Sequence, residues 1–497
     1  MTKCDVLVVG LGPTGDVLAS LLRQRGVSVI AIDREGDVYP LPRAAVFDEE
    51  VMRIFQMVGV AEEIRPSCRV PDGYQFLSAS HEILVKFELP PGLGRYGWDA
   101  TYALHQPAVE RILRTQAAHL GADLRVNTQL LEYSQSESGV VANVEGPQGQ
   151  YQIEAQYIVG CDGSRSAVRE SFGVPMFDYD FEEPWLVLDA FVENGDDLIQ
   201  IPSQICDPDQ PITFMRMSGN RFRWEFMLKP GDDPETFAEE ENLFRLLEPW
   251  DVLHRIEFER RAIYRFRGLL ASQWRSGRAL IAGDAAHQMP PFAGQGMCSG
   301  VRDAANLAWK LAAVVQGEAS PDLLDTYQTE REAHVRGIVE RSIEFGKTVC
   351  LLDHQAAAQR DAGMLAARAA GEQPELIPYP PLKDGCLMGG VQSGELFVQP
   401  VFDGRRMDDE IGQGPWLFTR QASGRASSAV QEFVVGEDRL GPFSAGISQW
   451  LSQHDADAVL VRPDRHVFGV GKPDLLLDSW QDKLTDAMRK VEEIAGG

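Results

Sequence analysis

Apolar residues recur in three rhythms along this chain. In the first, a short unbroken apolar run is followed by a helical repeat. "CDVLVVG" (4–10) predicts a buried strand. "DVLASLLRQRG" (16–26) predicts a helix with Leu18, Leu21 and Leu22 on one face and Gly26 at its end. "VSVIAID" (27–33) predicts a second buried strand ending in Asp33. The same order returns at "YIVGCDGSRSAVRE" (157–170) and across residues 278–317. There a strand leads through a Pro/Gly loop into a long helix that buries Val301, Ala305, Ala308, Leu311 and Ala312 and stops at Gly317.

The second rhythm has period two and covers residues 181–267. "RFRWEFM" places Phe222, Trp224 and Phe226 on one face and Arg221, Arg223 and Glu225 on the other. "PITFMRM", the turn "SGN" and this strand predict a hairpin, and "RAIYRFR" continues the alternation with Tyr264 and Phe266 on a shared face. The third rhythm is helical, from about 340 to 384, and ends at "PYPPLKDG". Beyond it "PWLFTR", "SAGISQWLSQ", "DAVLVRP", "HVFGVG" and "LDSWQDKLTDAMRKVEEIA" predict strand, helix, hairpin and final helix. Together these patterns predict an α/β chain divided at 1–180, 181–267, 268–340, 341–384 and 385–497, with loop 72–100 joining the antiparallel part.

Two stretches fit the glycine pattern of a dinucleotide-binding turn, GLGPTG (10–15) and GLGRYG (92–97). Such a turn needs a strand before it, a helix opening on it and an acid some twenty residues on. The first stretch has all three. Gly10 permits the tight turn, Gly12 lets backbone approach a pyrophosphate, Gly15 lets helix and strand pack, and Asp33 accepts from a ribose diol. The second follows "FELPP" and opens on no immediate helix, so it predicts a loop. One folded dinucleotide site is expected, and any second dinucleotide must bind without its own such domain.

Composition narrows the class. The 497 residues are 44% apolar and 24% charged, with a net charge of −27 that argues against nucleic acid. Seven scattered cysteines without a C-x-x-C pair indicate neither a disulfide framework nor a metal site. Apolar runs are too short for a membrane span, and the first residues enter a strand pattern at once, so a cytoplasmic protein is expected.

Two further signatures carry chemistry. Asp162 and Gly163 follow the strand at 157–161, ahead of Arg165 and Arg169; Gly283 and Asp284 end the strand that opens "RALIAGDAAHQMPPFAGQGMCSG". A carboxylate at a strand's carboxyl end suits a sugar-like hydroxyl chain, and amides at a helix start suit an anionic ring. GLGPTG with Asp33, "CDGSRSAVR" and "GDAAHQMPPFAGQG" resemble the single-component FAD-dependent aromatic hydroxylases of the para-hydroxybenzoate hydroxylase type. "PRAAVFDEE" is similar to that family's arginine loop (Arg43), and "LHQPAVERIL" to its glutamine-bearing helix (Gln106). "FRWEFMLKPGD" and "VRPDRHVF" are most similar to the 3-(3-hydroxyphenyl)propionate hydroxylase branch.

The resemblance implies a Rossmann-like FAD-binding domain, an inserted antiparallel-sheet substrate domain and a thioredoxin-like C-terminal domain. Without C-x-x-C that last domain is expected to be redox-silent, and structural or homodimer-forming. FAD contacts are expected from Gly10, Gly12, Gly15, Asp33, Arg34, Arg43, Gln106, Asp162, Gly283, Asp284, Pro291, Gly294, Gly296 and Met297. Arg223, Trp224, Phe226, Pro290 and Phe292 are expected to line the pocket of a small aromatic substrate. NADH or NADPH and O2 are the implied co-substrates. The implied reaction is hydroxylation of a phenol ortho to its hydroxyl through a flavin hydroperoxide, with protein supplying position, electrostatics and water exclusion.

His287, Asp48 and Tyr264 are candidates to move the phenol proton. Two residues depart from the family pattern. Asp16 stands where an apolar residue is usual and is placed to cap the helix, while Cys298 replaces asparagine and is read as packing. Arginines 255, 260, 261, 265 and 267 form a basic run, either a solvated strand face or an attractor of anions. The same scaffold acting on a larger fused ring, and a dehydrogenase or reductase without oxygen insertion, stay open as alternatives.

Overall fold

The computed structural model describes residues 2–41, 43–89, 92–372, 379–425, 429–437 and 439–495. Strand β1 (Thr2–Val9), helix α1 (Pro13–Gln24) and strand β2 (Val29–Ile32) form the first βαβ unit. Val6, Leu7 and Val8 are wholly buried, because helices cover both faces of a parallel sheet. Helix α2 (Gln106–His119) packs beside α1 and leads toward the edge strand Asp123–Arg125. Strand β3 (Gly149–Gly160) returns to lie parallel to β1. The parallel path runs Asp123–Arg125, β2, β1, β3 and Ala279–Ile281; strands Gln129–Gln135 and Val140–Gly146 extend it as an antiparallel flap.

A second sheet of eight strands is built around two long strands, β4 (Met176–Val192) and β6 (Ile256–Ala271), with β5 (Arg221–Met227) on the far side of β4. The long strands run past positions 180 and 267, so they tie the sheet to the dinucleotide domain. The expected hairpin is present, with Ile212–Arg216 antiparallel to β5, and Gly73–Ser78 and Ile83–Glu88 complete the sheet's far edge. One face carries Leu186, Leu188, Phe214, Phe222, Trp224 and Phe226 and is sealed by helix Glu240–Leu247. Period two then sends Asp189, Arg223, Glu225 and Arg260 to the opposite face, where all four are buried.

Helix α3 (Gly296–Val315) lies against α1, and helix α4 (Asp325–Val349) continues past residue 340. The C-terminal domain has a mixed four-stranded sheet in the order Gln431–Val434, Trp416–Thr419, Ala458–Val461, Val467–Gly471, with helices Ser444–Gln453 and Pro473–Ala495. Buried ion pairs dock it: Arg53 and Arg465 share Asp408, and Arg462 reaches Glu330 on α4. GLGRYG is an irregular loop belonging to this joint. The Gln399 amide donates to Tyr96 O at 2.6 Å, and Arg406 Nε donates to Gly97 O at 2.8 Å. No helix among the described residues is long and apolar enough to cross a membrane.

Candidate active site

The dinucleotide turn is closed on one side and open on the other. A Cβ on Gly10, whose φ is +103°, would sit 2.3 Å from Cys161 O; one on Gly15 would sit 2.0 Å from Gly10 O. Around Gly12 nothing lies within 4 Å of the same position. Gly12 is also the N-cap of α1 and offers no side chain to the first amides, and Gln295 likewise leaves α3 without a side-chain cap. Two helix starts without side-chain caps, the one at Gly12 over open space, fit a pyrophosphate and an anionic ring. Their closeness is set by Thr14, whose hydroxyl occupies the space a Cβ on Gly283 or Gly300 would need.

Polar groups around this cradle are positioned by backbone. Asp33 follows β2, accepts from Leu11 N at 2.7 Å and from Glu35 N at 2.8 Å, and stays partly exposed. Arg34 is exposed and pairs with Glu35. Asp162 accepts from Val168 N at 3.3 Å in helix Ala167–Phe172, which Ser166 caps, and its other carboxylate oxygen is buried and unpartnered; burial raises its pKa. Asp284 is exposed, in a turn whose Gly283 amide is held by Asp303 at 3.0 Å. Together these residues fit an FAD, whose ribose and ribityl hydroxyls need such acceptors.

Gln106 is buried, and its side-chain oxygen accepts from Arg43 N at 3.1 Å and from Ala44 N. Its side chain therefore fixes the arginine loop, whose Arg43 side chain is exposed beside Tyr39. Asp16 does not cap α1. It is buried, with Arg114 Nε 3.7 Å from its carboxylate, and burial raises its pKa well above the usual range. Cys298 is buried packing, as expected.

The proton-moving candidates sit differently from expectation. His287 is wholly buried on a short strand pairing with β6, its Nε2 2.6 Å from Asp303, which also accepts from Arg331 at 2.8 Å. It braces the loop from behind. Asp48 caps helix Glu49–Val58 and holds Arg302 at 2.6 Å, so both carboxylate oxygens are engaged. Tyr264 is half-buried on the polar face of the sheet, with Arg260 4.6 Å from its ring centre.

Trp224 and Phe226 require a correction. Expected to line the substrate pocket, they lie in the core under helix Glu240–Leu247, because that helix covers the apolar face. The face turned toward the flavin loops is the polar one. Arg223 Nη1 donates to Arg43 O at 2.8 Å, and Tyr74 Oη donates to Phe292 O at 2.9 Å, so the sheet bridges both loops. Phe292 itself is buried in a cage of Phe181, Trp185 and Phe266, while Ser342 donates to Pro290 O at 2.5 Å. Pro291 opens a short turn, Gly294 takes φ +65° where a Cβ would strike Val46, and Gly296 and Met297 start α3.

Between the bridges stand Glu225, Thr213 and Gln204, none of them more than 3% exposed. Thr213 donates to Gln204 Oε1 at 2.7 Å. Arg223 is bidentate to Asp189, at 2.6 and 2.9 Å, and Arg260 approaches the same carboxylate at 3.4 Å. Of the basic run, Arg255 pairs with Asp197, and Arg265 and Arg267 with Glu182. Glu225 was not among the expected site residues; its signal was an acid on the polar face of a strand whose other face is aromatic.

Comparison with known proteins agrees with this geometry. The family described as FAD binding domain matches residues 3–342. A Rhodococcus jostii (strain RHA1) protein named "Probable NADH-specific resorcinol 4-hydroxylase" is 37% identical, covering 98% of this chain and 96% of its own length. A 3-(3-hydroxy-phenyl)propionate/3-hydroxycinnamic acid hydroxylase of Mycolicibacterium gilvum (strain PYR-GCK) is 31% identical over 93% of this chain and 88% of that protein. The crystal structure of aklavinone-11 hydroxylase with FAD and aklavinone superposes with a TM-score of 0.79 at 24% identity, covering 97% and 99% of the two chains. The chain belongs to the FAD binding domain family and, within it, to the FAD- and NAD(P)H-dependent aromatic hydroxylases.

Proposed function

We propose that this enzyme hydroxylates a small meta-substituted phenol, with resorcinol as the preferred member and NADH as electron donor. One observation carries the choice. On the polar wall between the flavin loops Arg223 and Arg260 face two carboxylates, Asp189 and Glu225, which balances their charge against a further carboxylate, while Thr213 and Gln204 present groups that suit hydroxyls. The full-length likeness to the resorcinol 4-hydroxylase supports both substrate and donor. A phenylpropionate is the second reading, favoured by a relative 31% identical over 93% of this chain.

FAD, when bound, supplies oxygen activation. The protein's share is to hold it, to place the ring and to exclude water. The turn at Gly10, Gly12 and Gly15 with Asp33 would hold the adenosine diphosphate. Asp162, Asp284 and the α3 amides from Gly296 and Met297 would hold the ribityl chain and ring, and the Arg43 and Pro290–Gly294 loops would flank the ring edge. Tyr264 would meet the substrate from β6. A mixed four-stranded sheet flanked by helices supports reading residues 385–497 as thioredoxin-like, and seven free thiols support a reducing, cytoplasmic setting.

The test is NADH oxidation by the FAD-loaded enzyme with resorcinol or 3-(3-hydroxyphenyl)propionate, with products identified. Resorcinol should accelerate oxidation and yield benzene-1,2,4-triol. Acceleration by the propionate alone would overturn the resorcinol preference.

A further inference from the structure

We propose that Glu225 is a catalytic base, accepting the phenolic proton of the bound substrate. The inference rests on the hydroxylase reading above and adds the group that ionises the phenol. The O–H bond of the substrate breaks, its electron pair stays on oxygen as phenolate, and the proton forms a new O–H bond on the Glu225 carboxylate. An ionised phenol is electron-rich at its ortho carbon, which is where an electrophilic oxygen must attach.

Three placements carry the inference. Glu225 lies on β5 two residues from Arg223, which holds the arginine loop, and on the same face as Tyr74, which holds the loop at Phe292. Its carboxylate therefore stands on the wall between the two loops. Its neighbours are Arg223, which makes short contacts to Asp189 and Arg43 O and stands 3.6 Å from Glu225 Oε1, and Thr213, which donates to Gln204 and lies within hydrogen-bond reach of Glu225. Two of the three candidates named from sequence are engaged elsewhere, Asp48 by a helix start and Arg302 and His287 by Asp303, and the third, Tyr264, carries a phenol instead of a carboxylate.

The electrostatics suit the task. Burial, with the nearby Asp189 adding to it, raises the Glu225 pKa to about 7 against the opposing pull of Arg223, Arg260 and a hydrogen bond from Thr213. From the other packed strands Tyr74, whose pKa burial raises, and Tyr264 face the cluster. A base poised near neutrality is half ionised at pH 7 and fully able to accept above it. The acid limb of kcat/KM is then expected near pH 7, with activity rising as pH rises through it.

The experiment compares wild-type, E225Q and E225D holoenzymes, each checked for FAD content and melting temperature. Phenolate formation is read from the ultraviolet difference spectrum on binding resorcinol, and turnover is read against pH. E225Q should bind resorcinol as the neutral phenol, lose kcat at least about a hundredfold and lose the acid limb. E225D should recover part of all three, and a fluorinated, more acidic resorcinol should lose less in E225Q than resorcinol does. A wild-type phenolate band and unchanged acid limb in E225Q would overturn the assignment. If the wild type forms the band through Glu225 but converts no meta-substituted phenol, the substrate reading fails while the base stands.

Discussion

Removing Glu330 should loosen the joint between the flavin domain and the C-terminal domain. This carboxylate is wholly buried on α4, and its Oε2 meets Lys310 Nζ from α3 at 2.8 Å and Arg462 Nη2 from the C-terminal domain at 2.7 Å. Asn306 donates to the same oxygen at 2.8 Å and Cys386 N donates to Oε1 at 2.8 Å; Asp464 holds the other side of Arg462 at 2.6 Å. Two cations thus balance two carboxylates out of contact with water. Glu330→Ala leaves one excess buried positive charge and takes from Lys310 and the Cys386 amide the carboxylate they face, a loss of about 3–5 kcal/mol. The carboxyl's own titration gives a similar size. Against burial, Arg462 and Lys310 pull its pKa from 4.5 to about 2, and that shift corresponds to about 3 kcal/mol. Because the folded value is depressed, this stability is present above pH 4.5 and fades as pH falls toward 2. Urea unfolding followed by tryptophan fluorescence is a suitable assay, since Trp309 and Trp480 stack across the joint with ring centres 5.6 Å apart. Limited proteolysis should release the C-terminal domain earlier in the variant. Adding Lys310→Met to Glu330→Gln removes the stranded cation, so the double variant should be less damaged than the two single losses added. Strict additivity, or a loss below about 1 kcal/mol for Glu330→Ala, would refute the linked cluster and the charge-balance reasoning.

Further predictions follow from individual positions. Gly12→Val should fold but purify with little FAD, because its side chain enters open space at the phosphate turn. Gly15→Ala should instead lower soluble yield, its Cβ meeting Gly10 O; flavin absorbance per protein and melting temperature separate the two. Gly346→Ala places a Cβ 2.7–2.8 Å from the Phe181 and Phe292 rings. It should therefore raise the peroxide fraction of NADH oxidised as the loop shifts, read by catalase-sensitive oxygen uptake. Trp224→Ala should cost about 3–5 kcal/mol of stability with KM for the phenol little changed below the melting point, whereas a pocket residue would show the reverse split.

The sequence made the backbone-limited features plain. Gly10 and Gly15 are legible because close approach permits no side chain, and the strand–helix–strand setting separates GLGPTG from GLGRYG. What the second motif does was not legible: its contacts, Gln399 and Arg406, lie some 300 residues away. Period two announced a sheet with unlike faces, but alternation cannot say which face a helix will cover. Polar Arg223 and Glu225 could turn inward only because Asp189, far along the chain, neutralises the arginine. His287 and Asp48 looked available for chemistry for the same reason, since Asp303 and Arg302 are invisible as partners until the chain folds.

The measurement to make first is isotope incorporation under 18O2 with NADH and resorcinol. An FAD-dependent hydroxylase should give a triol carrying one atom of labelled oxygen per product, matched to the NADH consumed in coupled turnover. Oxidation of NADH with no label in any aromatic product, across resorcinol and the phenylpropionate alike, would contradict hydroxylation of these phenols.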